Sequence, residues 1–235
     1  MVDEIAKSVN LLDIIYGYTC FFGIFIISLV SIPKIRSLVL KFNLKDTPER
    51  RSSHTIPIPT FGGVIFYISY ILVLFFSQSL YPNSVVVTLM VSVSIVFLTG
   101  LLDDLKSLSP KIKFFGQLLS VAVLMVEPDF RIASLHGFMG IDEIPLFFSI
   151  SGSMFFLLGL INGFNLIDGI DGLMSITGVI VASFYCYILY ELGYFFYLSL
   201  SLATIATLLA FLRYNFSRSR KIFMGDTGSL LLALY

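Results

Sequence analysis

Cysteine is scarce and placed where it can do little: the 235 residues hold two, Cys20 and Cys186. Both lie inside apolar runs, where a thiol behaves as a small hydrophobe, so a disulfide framework, a thiolate metal cluster and redox chemistry are not expected. Charge is thin as well. Asp, Glu, Lys and Arg make up 13% of the chain against 57% hydrophobic residues, and the mean hydropathy is +0.94; an ordinary soluble domain carries roughly 25% charged residues. No excess of either sign exists, with 15 basic and 15 acidic residues. Internal repeats, low-complexity tracts and soluble-domain linkers are absent too. The class that remains is an integral membrane protein.

Crossing a hydrocarbon core takes roughly 20 apolar residues per helix. Runs near that length are Ile14 to Ile32, Phe61 to Leu80, Ser84 to Leu102, Ile144 to Ile161, Gly172 to Tyr190 and Leu192 to Leu212. Phe114 to Val126 is shorter, but Lys111 and Lys113 can snorkel and extend it, which makes seven. Leu230 to Tyr235 opens an eighth run that the sequence does not complete, so the chain reads as a fragment. The expected fold is therefore all-α, one polytopic transmembrane helix bundle over residues 1–235 with seven spans and the start of an eighth. The first span is too long for a signal-peptide core and lacks a small-residue cleavage site, so it is expected to be retained. Alternation in Phe130 to Leu135 and the Gly137/Gly140 turn signal predict a short external β-hairpin near 128–143.

Basic residues orient the bundle. All of the 15 except Lys7 and Arg131 fall in loops on one side: 33–60, 103–113 and 213–229. Positive charge marks the cytoplasmic face, so these loops and 162–172 are expected to be cytoplasmic and the N-terminus external. That orientation rests on Lys and Arg alone, yet it brings Asp103, Asp104, Asp168, Asp171 and Asp226 to the same face.

Asp103, Asp104 and Asp168 fall at the C-terminal ends of inward-running helices, where the macrodipole disfavours a carboxylate by about 0.3–1 kcal/mol. Such a placement calls for a compensating cation. Adjacent Asp103 and Asp104 would point about 100° apart on a helix, and Mg²⁺ suits oxygen-rich sites that it shares with water and phosphate. Asn162, Asn165, Asp168 and Asp171 recur at a spacing of three, which keeps them neighbours on a helical face, while Gly163, Gly169 and Gly172 let the backbone bend. The loop from Asp46 to Gly63 carries Arg50, Arg51 and His54 among three prolines. Arginine offers forked donors for phosphate, although these residues also satisfy the positive-inside rule unaided. Gly62-Gly63 admits either a phosphate or a close-packed helix, and Asp226 in Met224-Gly225-Asp226-Thr227-Gly228-Ser229 can serve as a helix N-cap or as a site residue.

Together these stretches resemble the polyprenyl-phosphate N-acetylhexosamine-1-phosphate transferases, glycosyltransferase family 4, which include phospho-N-acetylmuramoyl-pentapeptide transferase and the eukaryotic dolichyl-phosphate enzyme. The resemblance rests on Asp46-Thr47-Pro48, Arg50, His54, Pro59 and Gly62-Gly63; on Asp103-Asp104, Leu108-Ser109-Pro110-Lys111 and Gln117; on Asn162, Asn165, Asp168-Gly169 and Asp171-Gly172-Leu173; and on Phe223 to Ser229. The first loop looks most like the undecaprenyl-phosphate GlcNAc-1-phosphate branch.

The resemblance implies a multi-pass enzyme of the bacterial cytoplasmic membrane. It would transfer N-acetylhexosamine 1-phosphate from a UDP-N-acetylhexosamine, UDP-GlcNAc first, to undecaprenyl phosphate, a polyprenyl phosphate, releasing UMP. Mg²⁺ is the implied cofactor, with Mn²⁺ able to substitute. Asp103, Asp104 and Asp226 would be catalytic. Asp226, Asp104 and Asp168 would hold metal, and Asn162, Asn165, Asp168, Asp171 and Phe223 the donor nucleotide, with Phe223 stacked on uracil. Arg50, Arg51, His54, Lys111 and Lys113 would meet the lipid phosphate or diphosphate. No nucleic-acid partner is expected; a homodimer is. Two departures stand out: Asn215 to Lys221 lacks the proline usual in relatives, which leaves the role of Asn215 open, and the later helices with their His-containing loop are missing. On that ground the isolated chain is expected to be inactive, an expectation that measured transferase activity would overturn. The alternatives are an ion-coupled transporter, which would place carboxylates near mid-membrane, and a non-catalytic scaffold.

Overall fold

The computed structural model describes the backbone of residues 11–42, 45–46, 58–77 and 83–234. Helices dominate: α1 (Leu11–Lys41), α2 (Val64–Ser77), α3 (Asn83–Lys106), α4 (Pro110–Leu124), α5 (Leu146–Ile167), α6 (Leu173–Glu191), α7 (Phe195–Asn215) and α8 (Gly225–Leu234). Two antiparallel two-residue strands, β1 (Lys45–Asp46) and β2 (Ile58–Pro59), pair Lys45 with Pro59 and Asp46 with Ile58. The loop they close, with Arg50, Arg51 and His54, lies outside the described residues.

Five helices, α1, α3, α5, α6 and α7, are long and apolar enough to cross a membrane. Helices α2 and α4, at 14 and 15 residues, fall short of the roughly 20 that a span needs; the seven spans read from the sequence counted both. Phe147, Phe148, Phe155 and Phe156 on α5, and Ile180, Phe184 and Tyr187 on α6, are exposed. A water-facing surface would not tolerate such a belt, whereas lipid does, and the chain is a multi-pass membrane protein. Where the sequence suggests an external hairpin, a 3-10 turn at Pro128–Phe130 precedes a single antiparallel bridge between Ser134 and Glu143, which closes over a second 3-10 turn at Phe138–Gly140, without a pair of strands.

Helix α7 forms the centre, packed on α1, α2 and α6, while α8 lies between α3 and α5. Between helices in lipid, apolar burial gives little discrimination, so close packing and polar side-chain pairs supply it. Tyr70 pairs with Thr204 at 3.1 Å, Thr207 donates to Ser69 at 2.9 Å, and Ser92 pairs with Ser120 at 2.9 Å. These contacts join α2 to α7 and α3 to α4. The C-terminal ends of α1, α3, α5 and α7 and the N-terminal ends of α2, α4, α6 and α8 consequently meet at one end of the bundle.

Candidate active site

The N-terminus of α8 is the element around which that end is built. Phe223 N–H donates to Pro59 O at 2.9 Å, Gly62 N–H to Phe223 O at 2.9 Å, and Gly63 N–H to Met224 O at 2.8 Å. A Cβ on Gly63 would stand 2.0 Å from Gly228 N, and one on Gly100 2.7 Å from Thr227 Cα. Three backbones therefore touch where the glycines are. Of the two uses open to Gly62-Gly63, close packing is the one realised. Gly225 is demanded twice: its φ is +74°, and a Cβ would lie 2.7 Å from Asp104 Oδ2, so a side chain is excluded by backbone sterics and by contact.

Asp104, in the last turn of α3, caps α8 from outside that helix. Its Oδ1 accepts Asp226 N–H at 2.8 Å, and its Oδ2 accepts Thr227 N–H at 3.0 Å and the Thr227 hydroxyl. The positive end of α8 thus offsets the unfavourable C-terminal position of this carboxylate. With its own N–H capped by Asp104, Asp226 turns its side chain to other partners rather than serving as an N-cap. Its Oδ1 lies 2.8 Å from Lys113 Nζ and accepts a hydrogen bond from Asn165 Nδ2, which also donates to Ser229 Oγ at 2.8 Å.

Lys113 ties the cluster together. Its Nζ is 2.9 Å from Asp103 Oδ2 and donates to Asn165 Oδ1 at 3.3 Å, while Asp103 Oδ1 accepts Leu108 N–H at 2.7 Å. Asp103 sits at a helix C-terminus and Lys113 in the first turn of α4, each at the end its charge disfavours; pairing them offsets both costs. Burial pulls the Lys113 pKa down, but the hydrogen bonds and charges of Asp226 and Asp103 outweigh it and hold the ammonium above its ordinary value. Asp226 is pushed up, by burial first and then by the adjacent Asp103 carboxylate, against the pull of Lys113 and Asn165. Asp168, at the C-cap of α5, is raised well above an ordinary carboxylate by burial and by the charges of Asp226 and Asp104; a hydrogen bond from the Gly225 backbone only partly offsets this.

The stripe of three-residue spacing divides. Asn162 donates to Leu158 O at 2.8 Å and to Gln117 Oε1 at 3.2 Å, one turn deeper than Asn165. Helix α5 ends at Ile167, so Asp171 falls in the following turn and pairs instead with Lys221. Lys221 Nζ in turn sits over the Phe223 ring, 5.2 Å from its centre. Asp168, Asp171, Asn215 and Phe223 line one small cleft. Lys111 is exposed and stands apart from the Lys113 network.

Asn215 is the site residue whose role the sequence leaves open. Its Oδ1 accepts Gly172 N–H at 2.8 Å and its Nδ2 donates to Ile222 O at 3.2 Å, which staples the turn carrying Asp168 and Asp171 to the strand of chain that leads to Phe223 and Asp226. Gly172, with φ +73°, is the one glycine of that turn whose conformation demands it; Gly163 and Gly169 face open space. Ser229, whose hydroxyl fixes Asn165, and Thr227, which caps onto Asp104, are not among the expected site residues, and the Phe223 to Ser229 motif that contains them is the one signal that points to them.

The site as a whole is an oxygen-rich set of carboxylates with two ammonium groups, Lys113 inside the network and Lys221 paired with Asp171 at its edge. It can hold and exchange anionic groups at Lys113 and Asn165, and its carboxylates exceed the positive charge opposite them. Among the described residues no three His, Cys, Asp or Glu side chains converge closely enough to cage a metal ion by themselves.

The glycosyl transferase family 4 model matches residues 86–235. A "Probable undecaprenyl-phosphate N-acetylglucosaminyl 1-phosphate transferase" of Bacillus subtilis (strain 168) is 33% identical over 217 residues, covering 88% of this chain and 59% of that protein. A "Phospho-N-acetylmuramoyl-pentapeptide-transferase" of Streptococcus pneumoniae (strain 70585) is 39% identical over 188 residues, covering 74% of this chain and 56% of the relative. The protein of the same name from Clostridium perfringens (strain SM101 / Type A) is 30% identical over 213 residues, 86% of this chain and 65% of the relative. The chain thus spans less than two thirds of the length of these curated relatives. With Gly62-Gly63, Asp103-Asp104, Asn165 to Asp171 and Gly225 to Ser229 gathered at one end of a helical membrane bundle and a family match over most of its length, the chain belongs to glycosyl transferase family 4.

Proposed function

We propose that this chain carries the reaction site of a membrane phosphoglycosyltransferase, which moves N-acetylhexosamine 1-phosphate from a UDP-sugar to a polyprenyl phosphate. The observation that carries the reading is the Asp103, Lys113, Asp226 and Asn165 network, a preorganised ammonium among carboxylates where helix ends meet. In the reaction, a phosphate oxygen of the lipid attacks the sugar-bearing phosphorus of the donor; the bond from that phosphorus to the bridging oxygen breaks, and the oxygen leaves on UMP. Several negative charges converge in such a step, so catalysis is mainly neutralisation and positioning. Lys113, freed in part from Asp103 and Asp226, meets the incoming phosphate, and Asp103 orients it. Asn165, Asp168 and Asp171 hold the nucleoside end, with uracil on Phe223.

Mg²⁺, or Mn²⁺ in its place, is the proposed cofactor: Asp226, Asp104 and Asp168 would hold it through water as much as directly, since these three do not cage an ion by themselves and such an ion keeps waters and shares substrate phosphates. When bound, it neutralises the diphosphate as charge develops. Seven spans, an external N-terminus and a cytoplasmic site in a bacterial inner membrane complete the reading, since the acceptor tail must stay in lipid while its phosphate reaches water. The product would begin assembly of a cell-surface polysaccharide.

UDP-GlcNAc is the proposed donor, because the relative matched over 88% of the chain is named for N-acetylglucosaminyl transfer. The 39% identity to a muramoyl-pentapeptide transferase favours a second donor, UDP-MurNAc-pentapeptide. Membranes containing the chain are given each tritiated donor with undecaprenyl phosphate and Mg²⁺; label that moves into the butanol phase from UDP-GlcNAc supports the reading and overturns the inactivity expected of this chain by itself. Label from the muramoyl donor alone would replace the first donor with the second. UDP binding without transfer would leave a donor site lacking its complete machinery, and neither binding nor transfer would overturn the reading.

A further inference from the structure

Lys221 belongs to none of the roles above, yet it bridges two residues that line the cleft, Asp171 and Phe223. Its ammonium pairs with Asp171 and lies over the face of the Phe223 ring, 5.2 Å from the centre, where a cation is attracted by the ring quadrupole. The backbone beneath it is held on both sides. Arg36 of α1 donates from Nε to Lys221 O at 3.2 Å and from Nη2 to Ser219 O at 3.3 Å. On the other side, Phe223 N–H is anchored on Pro59 O and Phe223 O on Gly62 N–H, both at 2.9 Å. The segment from Ser219 to Phe223 is therefore held as a strap, from which the Lys221 side chain, 25% exposed, extends.

We infer that Lys221 is a donor-positioning residue that covers the Phe223 ring in the empty cleft and, when the UDP-sugar arrives, leaves Asp171 and the ring to bind the donor's diphosphate. The inference rests on the reading of Phe223 as the uracil platform. A base and an ammonium cannot share one ring face, so stacking displaces Lys221. The displaced cation is then free to turn to the phosphates that the ribose of the same nucleoside carries. An ammonium whose carboxylate partner is half exposed exchanges it for a phosphate at little desolvation cost, and charge-assisted bonds of this kind are among the stronger ones. Asp171 in this account keeps the empty site neutral and holds the cation ready.

The two halves of the role have opposite signs, which a merely structural lysine would not show. Affinities of uridine and of UDP are to be measured by calorimetry on the detergent-solubilised chain for wild type, Lys221→Ala and Lys221→Arg, with melting temperatures confirming the fold. Uridine has only to uncover the ring, so Lys221→Ala is expected to bind it about twofold or more tighter. UDP loses its cation, so the same variant is expected to bind it about tenfold weaker, and Lys221→Arg is expected to restore most of the loss. Wild type that binds UDP, beside a Lys221→Ala variant in which both affinities move the same way or neither moves, overturns the inference and leaves the proposed function standing. Should the alanine variant fail to fold, the arginine variant and Lys221→Gln carry the same comparison. Wild type that binds neither ligand overturns the proposed function, and the inference with it.

Discussion

Replacing Gly63 by alanine adds one methyl group where there is no room for it. Its Cβ would stand 2.0 Å from Gly228 N, 2.4 Å from Gly228 Cα and 2.7 Å from Thr227 C, against ordinary contact from 3.4 Å. All three are backbone atoms, so no rotamer change relieves the clash, and the N-termini of α2 and α8 must separate by about 1.4 Å, the difference between 3.4 and 2.0 Å. Such a movement breaks or stretches the bonds from Gly62 and Gly63 to Phe223 O and Met224 O. Overpacking costs about 1–3 kcal/mol and each lost hydrogen bond about 0.5–1.5 kcal/mol, which for a chain of this size lowers the melting temperature by about 5 °C or more. Asp226 moves with α8 away from Lys113 and Asn165, and a misplacement of roughly 1 Å at a reacting site costs about 10²-fold in rate. Thermal unfolding followed by a thiol-reactive or intrinsic fluorescence signal, together with donor binding, reads both effects. Gly159→Ala on α5, where nothing lies within 4 Å of the added Cβ, is the control and is expected to be neutral. A Gly63→Ala protein that melts and binds like Gly159→Ala would show that the packing of α2 on α8 does not set the site.

Two further outcomes follow from the electrostatics and the staple. Asn215→Ala removes the bonds to Gly172 N–H and Ile222 O and leaves two buried backbone groups unpaired, at about 1–3 kcal/mol each; nucleotide affinity is expected to fall with stability, and wild-type values for both would refute the staple. Asp168 and Asp226 have folded pKa values above the ordinary carboxylate value, so the folded state binds more protons than the unfolded one in the window between the two. Stability in EDTA is therefore expected to fall as pH rises through that window, and Asp168→Asn is expected to flatten the dependence; a wild-type melting temperature that climbs across the same range would contradict it.

How far the sequence reveals this site differs from residue to residue. Asp103 and Asp104 look alike on paper, adjacent at one helix end, and both call for a cation. Asp103 finds Lys113, whereas Asp104 finds the amide end of α8, a partner 122 residues away in sequence. No local pattern announces that pairing, because it depends on Gly63 and Gly100 letting α8 approach. The spacing of three from Asn162 to Asp171 is visible in the sequence and correctly implies a shared face as far as Asp168, but periodicity cannot show that the helix stops at Ile167 and sends Asp171 toward Lys221. Apolar length marks α1, α3, α5, α6 and α7 well; α4 is harder to bound, since the helix starts at Pro110, four residues before its apolar run, and ends at Leu124, two residues before the run does. Asn215 is unreadable alone, as its two partners are backbone groups brought together only by the fold.

The carboxylates around Lys113 are proposed to form a metal-assisted diphosphate site, with Asp226 at its heart. Titration of UDP-GlcNAc into the wild-type chain and into Asp226→Asn, each with Mg²⁺ and with EDTA, tests it most directly. Wild type is expected to bind about tenfold or more tightly with Mg²⁺ than without, and Asp226→Asn, which removes the charge while leaving an oxygen of similar shape, is expected to lose that difference. Binding that is unaffected by Mg²⁺, or equally enhanced in the asparagine variant, would contradict the account.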